Sequence, residues 1–263
     1  VTSGVYVNAK DGSELVWVAA ATFTQCKPPP GIVDPTQLTS VAHQVDLPRQ
    51  TTLTRGFFIG RTEVTWAQFD AFCDATGEAR RPRNINNLTE DTATFDLKVT
   101  RLRQPFFAGD DHPVFRVTWH DAVAYCAWAG LRLPTDAEWE LAARGVGGQA
   151  LPWGEDAPQD KADCSCLMNN DGFTHTAPVA KHPRDRTWAG CYDMAANVAE
   201  WVADRWSGID GAPVTDPTGP TEGDAHVLRG STWVTSSSGV RLGHRTSRPS
   251  THNDDHSGFR VAR

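Results

Sequence analysis

Arg132-Leu-Pro-Thr-Asp-Ala-Glu-Trp-Glu-Leu-Ala-Ala-Arg144 is the stretch on which the reading of the fold turns. Thr135 is a good N-cap, and Glu138 stands three residues on and completes a capping box. Gly145 follows the last helix former, so a helix is predicted from Thr135 to about Arg144. The same grammar occurs twice upstream. Thr65-Trp-Ala-Gln68 opens a helix that should stop at Gly77, and Thr118-Trp-His-Asp121 opens one that should stop at Gly130. Cys73 and Cys126 fall at the same offset, but the shared layout reads as common helix grammar rather than as a repeat.

Around these helices the signals are those of strands and loops. Residues 12–25 read as a strand pair, and Arg55 to Glu63 is strand-like. Residues 27–50 carry Pro28-Pro29-Pro30 and read as an ordered excursion. After Gly145 the chain is dense in Gly, Pro, Asp, Asn, Ser and Thr, with short apolar runs. A loop-rich stretch of that length needs something to tie it down. The tryptophans and candidate metal ligands in it are expected to do so.

The 263 residues suffice for one large domain or two small ones, and the mean hydropathy of -0.44 with 39% hydrophobic residues is that of a globular chain. No run of 18 apolar residues occurs, so no membrane insertion is expected. The formal charge of -7 argues against nucleic acid as a partner and is compatible with bound cations. Six cysteines allow fifteen pairings, and the sequence selects none. Cys164-Ser-Cys166 is too tight for an ordinary zinc knuckle. Ten tryptophans against three tyrosines are expected to fill an irregular core. The opening Val-Thr-Ser-Gly-Val-Tyr has no charged segment followed by an apolar one, so the chain reads as cytoplasmic or as one whose signal has been removed. A secreted, periplasmic or surface-displayed location is favoured.

The ordered motifs resemble a known family. Gly60-Arg-Thr-Glu-Val-Thr-Trp66, His112 to Gly130, Arg132 to Arg144, Asp171 to Val179, Tyr192-Asp-Met-Ala-Ala-Asn-Val-Ala-Glu-Trp201 and Gly258-Phe-Arg260 follow one another as in the formylglycine-generating enzyme, or sulfatase-modifying factor, family. The resemblance spans nearly the whole chain. It implies a single domain over residues 1–263, of α+β class, a loop-rich variant of the C-type lectin fold with bound calcium.

Calcium takes six to eight oxygen ligands from carboxylates and carbonyls. The resemblance implies one site from Asp163, Asp171 and the carbonyls of Cys164 and Phe173. It implies a second from Asp193, Glu200 and the carbonyls of Ala196 and Val198. Asp163 and Asp193 stand where the family often has Asn, which keeps an oxygen ligand and adds charge.

In the formylglycine-generating enzyme two C-terminal cysteines bind copper. Soft thiolates suit Cu(I). Here the corresponding positions are Val234 and Gly239, and no cysteine follows Cys191. No copper is expected, and no catalytic residue is assigned. Relatives with non-haem iron carry a fused domain with a three-histidine motif that this chain lacks. His244, His252 and His256 are expected to be solvated loop residues.

Residues 229–263 also resemble the variable region of proteins diversified by retroelements, which share the lectin-like fold. The implied scaffold is Arg229-Gly230, Trp233, Val240-Arg241, Arg245 and Gly258-Phe259-Arg260. The implied ligand-binding residues are Thr232, Trp233, Val234, Thr235, Ser236, Ser237, Ser238, Leu242, His244, Thr246, Thr251, His252, Asn253, Asp254 and His256. Adenine-targeted mutagenesis of Asn-type codons does not reach Lys, Glu, Gln, Met or Trp. None of those five occurs from Val234 to Phe259. Turn-rich loops favour Ser, Thr, Asn and Asp in any case.

The expected function is therefore ligand binding by a C-terminal recognition surface, with a protein or cell-surface ligand as partner. The alternative is an oxidase-like maturation enzyme working without the copper cysteines, as the pyoverdine-maturation member of the family does. A binder should present a broad shallow face from residues 232–257, and an enzyme a deep pocket with a titratable group of shifted pKa.

Overall fold

The computed structural model describes residues 4–28, 46–85, 105–154, 163–166 and 171–263. In chain order the elements are β1 (Val5–Val7), β2 (Glu14–Val18), β3 (Ala21–Gln25), β4 (Arg49–Leu53), β5 (Phe57–Gly60), α1 (Trp66–Thr76), β6 (Asn84–Ile85) and β7 (Phe106–Phe107). Then come α2 (Trp119–Ala129), α3 (Asp136–Arg144), β8 (Ala199–Arg205), β9 (Val214–Thr215), β10 (Ala225–Arg229), β11 (Arg245–Pro249) and β12 (Ser257–Phe259). Few helices and several small sheets make this an α+β fold.

The three α-helices of the described residues start and stop where their caps dictate. Thr65, Thr118 and Thr135 each accept a hydrogen bond from the backbone N–H three residues on, and Gln68, Asp121 and Glu138 return the bond to the cap N–H. Gly77 and Gly130 close the first two helices in the left-handed conformation, with φ of 78° and 71°.

Residues 12–25 do contain two strands, but they do not pair with each other. β2 lies between β1 and β5, whereas β3 pairs with β4, which in turn carries the parallel β9. The hydrophobic alternation that defines each strand says nothing about its partner. The stretch after Gly145, expected as loops, holds a four-stranded sheet in the order β11-β10-β8-β12. β10 is antiparallel to both its neighbours, and β12 lies parallel to β8. These strands contain Arg, Asp, Glu, His and Ser, so composition hides them.

The tryptophans behave unevenly. Trp66, Trp139, Trp201 and Trp233 are buried, while Trp17 and Trp188 are exposed. Trp201 Nε1 donates to Val117 O at 3.0 Å and Trp139 Nε1 to Glu200 Oε2 at 2.7 Å, whereas among the described residues Trp66 Nε1 is buried without a hydrogen-bond partner. Phe259 on β12 packs against Phe69 and Tyr125, with ring centroids 6.5 and 5.3 Å apart. Beside it, a Cβ at Gly258 would stand 2.3 Å from Val114 O, so this strand lies against its neighbour only because the side chain is absent.

Truncating a buried phenylalanine costs roughly 3–5 kcal/mol. Phe259→Ala is expected to lose that much in urea unfolding. A loss within about 0.5 kcal/mol, the range of surface substitutions, would contradict the packing described.

Candidate functional site

The C-terminal segment is anchored by arginines. Arg229 is fully buried, with Nη2 2.6 Å from Glu140 Oε2 and Nε 3.2 Å from Asp136 Oδ1. Arg245 donates to Asp136 Oδ2 at 2.7 Å and to Asp46 at 3.2 Å. Arg260 makes a two-pronged pair with Glu200, at 2.5 and 2.6 Å, and reaches the carbonyls of Gly60 and Tyr192 at 2.9 Å. The scaffold expected from the sequence is thus buried at Arg229, Trp233, Val240, Phe259 and Arg260. Arg241 is half-buried, and its backbone N–H is held by Ser231 Oγ at 3.2 Å.

Trp233 fixes the centre of the face. Its N–H donates to Asn197 O at 2.8 Å and its Nε1 to Asp255 O at 3.0 Å. Its ring lies 4.5 Å from that of His175, which stacks on Phe106 at 4.8 Å. Burial holds His175 neutral, with its pKa lowered to about 4. On either side of Trp233 the chain is ordered by short turns. Thr232 N donates to Thr235 Oγ1 at 3.0 Å, and Gly239 N to Ser236 O at 2.7 Å, closing the 3-10 turn Ser237–Gly239.

The expected ligand-binding residues divide by exposure. Ser238, Thr251 and Asn253 are exposed, and Val234, Thr235, Ser236, Ser237, Thr246, Asp254 and His256 are half-buried. Leu242 is a correction: it is fully buried in the core, its N–H bonded to Ala150 O at 3.0 Å, and offers no side chain to a ligand. Thr232 and Trp233 are also buried and serve the face as framework. Val234 and Gly239, the positions that the resemblance gives to copper thiolates, are both half-buried.

The histidines are a second correction. None of the three is a freely solvated loop residue. His244 is half-buried with Nδ1 3.0 Å from Gly230 O. His252 Nε2 and His256 Nε2 both approach Asp254 Oδ2, at 2.7 and 3.0 Å, and His256 Nδ1 approaches Asp255 Oδ1 at 3.0 Å. Burial lowers the pKa of His256, but the two aspartates outweigh it and raise it to about 9.

The expected calcium ligands are almost all buried. Asp163 meets Arg184 Nη1 at 2.7 Å, and Asp171 lies 3.9 Å from His182 Nε2 and accepts from Phe173 N at 2.9 Å. One short turn, Pro183–Asp185 with His182 as its N-cap, therefore touches both acids. At the second place, Asp193 sits at φ 63° with Oδ2 accepting from Ala180 N at 2.6 Å, and burial raises its pKa to about 6. Cys164, Ala196 and Val198, which would lend carbonyls, are buried beside these acids, while Phe173 is half-buried.

Two acids that sequence reasoning did not assign join this second group. Burial, then the charge of Asp193, pushes the pKa of both Glu63 and Asp185 up, and among the described residues Asp185 Oδ1 is buried without a hydrogen-bond partner. Arg260 is the cation that faces them. Glu63 also holds Asn197 Nδ2 at 2.9 Å and Val198 N at 3.2 Å. Glu63 lies inside the quoted Gly60–Trp66 motif, but its partners are more than 130 residues away. Buried carboxylates left in excess of cations are the environment a hard divalent ion relieves. Oxygen donors of the kind calcium takes are thus present, but among the described residues no three His, Cys, Asp or Glu side chains gather as a metal site.

With this geometry in place, the comparison with known proteins is direct. The family described as "Sulfatase-modifying factor enzyme 1-like domain" matches residues 5–263. The chain belongs to that family. It is similar to the formylglycine-generating enzyme of Streptomyces coelicolor, 33% identical over 260 residues that cover 82% of this chain and 81% of the relative. The Thermomonospora curvata formylglycine-generating enzyme is 41% identical over 170 residues, 58% of this chain but only 55% of that protein's length. Among solved structures, PvdO from Pseudomonas aeruginosa superimposes with a TM-score of 0.78 at 26% identity, covering 99% of this chain and 97% of PvdO. Treponema denticola variable protein 1 gives 0.69 at 22% identity over 100% and 99%, a likeness of fold. As a member of this sulfatase-modifying-factor family, the chain places its C-terminal segment on a shared framework. No helix of the described residues is long and apolar enough to cross a membrane.

The pKa of His256 gives a signed prediction. A folded value raised above the ordinary 6.5 contributes stability that is fully present below 6.5 and is lost as the pH rises through about 9. His256→Gln should flatten the stability profile across that window, read by urea unfolding at a series of pH values. An unchanged slope would contradict the pairing.

Proposed function

We propose that this chain is a ligand-binding member of the family, with the surface around residues 234–239 and 246–256 as its recognition face for a protein ligand. The observation that carries this reading is the alternation of locked and free positions within one segment. Trp233, Val240, Leu242 and Phe259 are buried, while Ser238, Thr251 and Asn253 between them are exposed. Small hydroxyl and amide side chains offer adaptable hydrogen bonds, and a rigid frame limits the entropy lost on binding. The fold shared with Treponema denticola variable protein 1 supports the reading. So does the absence of cysteine after Cys191, which removes the thiolate ligands for copper.

Calcium is proposed as the structural ion, on Asp163, Cys164, Asp171 and Phe173 at one place and on Asp193, Ala196, Val198 and Glu200 at the other. It would relieve the repulsion among the buried acids and stiffen the frame. Ions that bind only the folded state stabilise by about 2.7 kcal/mol at a hundredfold excess over Kd. Thermal melts should therefore move down on addition of a chelator and return with calcium. Coincident melts would remove calcium from the account.

The similarity to PvdO favours a second reading, a maturation enzyme that works without copper thiolates. The two readings differ in what randomisation does. A library at Ser236, Ser238, Thr251 and Asn253, displayed on phage, should remain folded and yield binders to an unrelated test protein such as lysozyme. Melting temperatures of the folded members should stay within a few degrees of the parent, since surface changes cost about 0.5 kcal/mol or less. Library members that mostly fail to fold would show that these side chains are structure and would overturn the recognition-face reading.

A further inference from the structure

A small polar cavity of about 240 Å³ lies apart from the residues proposed as the recognition face. Four elements bring its walls together: β4 supplies Arg49, the start of α3 supplies Asp136, the end of β8 supplies Asp204 and Arg205, and the start of β11 supplies Arg245. Ser207 and Thr218 complete the polar lining.

The charges in this cavity are not all spent on one another. Arg245 and Asp136 neutralise each other at 2.7 Å, and Arg245 is further held by Asp46 and by the face of Trp206, 4.1 Å from its ring. Asp136 also meets Arg229. Arg49 and Arg205 are different. Each commits only its Nε, to Gln25 Oε1 at 3.0 Å and to Gly223 O at 2.8 Å. Among the described residues their terminal nitrogens have no hydrogen-bond partner. The uncommitted donors of two guanidinium ends and two hydroxyls outnumber the acceptors offered by Asp204 and the arginine-paired Asp136, which makes the lining donor-rich, the complement of an oxyanion.

We propose that this cavity binds a small oxyanion, a carboxylate or a tetrahedral phosphate- or sulfate-type group, between Arg49 and Arg205. Of the two acids in the lining, Asp136 is offset by Arg245 and Arg229, which leaves Asp204 to oppose such a ligand. Its Oδ2 accepts the N–H of Asp136 at 2.8 Å. Burial first, and then the charge of Asp136, raise its pKa to about 7, with Glu138 adding to that effect and Arg245 opposing it. Near neutrality Asp204 is therefore able to take up a proton as the anion enters, which removes the repulsion and adds a donor. Binding should strengthen as the pH falls through 7.

The test is an NMR titration of the full chain with sulfate and, separately, acetate, following the backbone amides of Arg205, Ser207 and Gly219. Sulfate stays ionised across the range, so the pH dependence belongs to the protein. Saturable shifts are expected, with an apparent Kd about tenfold tighter at pH 6 than at pH 8 for a single group titrating near 7. Tighter sulfate assigns the tetrahedral class, and tighter acetate the carboxylate class. Arg205→Gln should weaken the preferred anion at least tenfold, and Arg49→Gln makes the same comparison should the first variant not fold. Asp204→Asn should bind at pH 8 as tightly as the parent does at pH 6, with the pH dependence gone. Linear, non-saturating shifts with both anions, or unchanged affinity in a folded Arg205→Gln or Arg49→Gln protein, would overturn the proposal. So would an Asp204→Asn protein that keeps its full pH dependence.

Discussion

The pair between Arg260 and Glu200 is the constraint on which the rest of the structure depends. Both side chains are buried, and one planar five-donor group satisfies a carboxylate and the carbonyls of Gly60 and Tyr192 together. Glu200 also takes the indole N–H of Trp139. The node thus joins the end of β5, helix α3, β8 and the residue after β12 in one place. Sheets here are small and irregular, so backbone ladders alone would leave these pieces loosely related. Buried ion pairs contribute little net stability against apolar replacements, but losing one partner is costly because the other charge stays buried. Such a node specifies which loops meet.

Excess negative charge is the complementary feature. Glu63, Asp185 and Asp193 crowd toward the same node, and Arg260 alone cannot balance them. A divalent cation would complete the balance, which makes the proposed calcium ions part of the same electrostatic frame. On the proposed reading, the C-terminal face takes its rigidity from this frame. Trp233 is tied to Asn197, and Asn197 in turn to Glu63, so the centre of the face hangs on the acidic cluster by two hydrogen bonds.

The parts of the fold legible in the sequence were those fixed by local chemistry. Capping boxes at Thr65, Thr118 and Thr135 placed three helices, because a cap is satisfied within four residues. Strand pairing was not legible, since β2 and β3 lie next to each other in sequence and find partners in different sheets. The face was legible in part. Its framework residues Trp233, Phe259 and Arg260 are where the motif spacing puts them, yet Leu242 turned inward because Ala150, nearly a hundred residues upstream, offers it a carbonyl and a core. The contacts of His252 and His256 with Asp254 lay within five residues, and the alternation with Asp254 and Asp255 was the available signal. Arg49 and Arg205 come together only through the tertiary fold, and no local pattern announces them.

The central claim is that a locked frame carries side chains that do not hold it together. Native-state hydrogen exchange of the backbone tests this most directly. The amides of Ala199, Val64 and Trp233, which bond to His256, Phe259 and Asn197 carbonyls, should exchange only through global unfolding. Those of Ser237, Ser238 and Asn253 should exchange through local openings, faster by orders of magnitude. Equal protection of the two sets, or rapid exchange at Ala199 and Trp233, would contradict it.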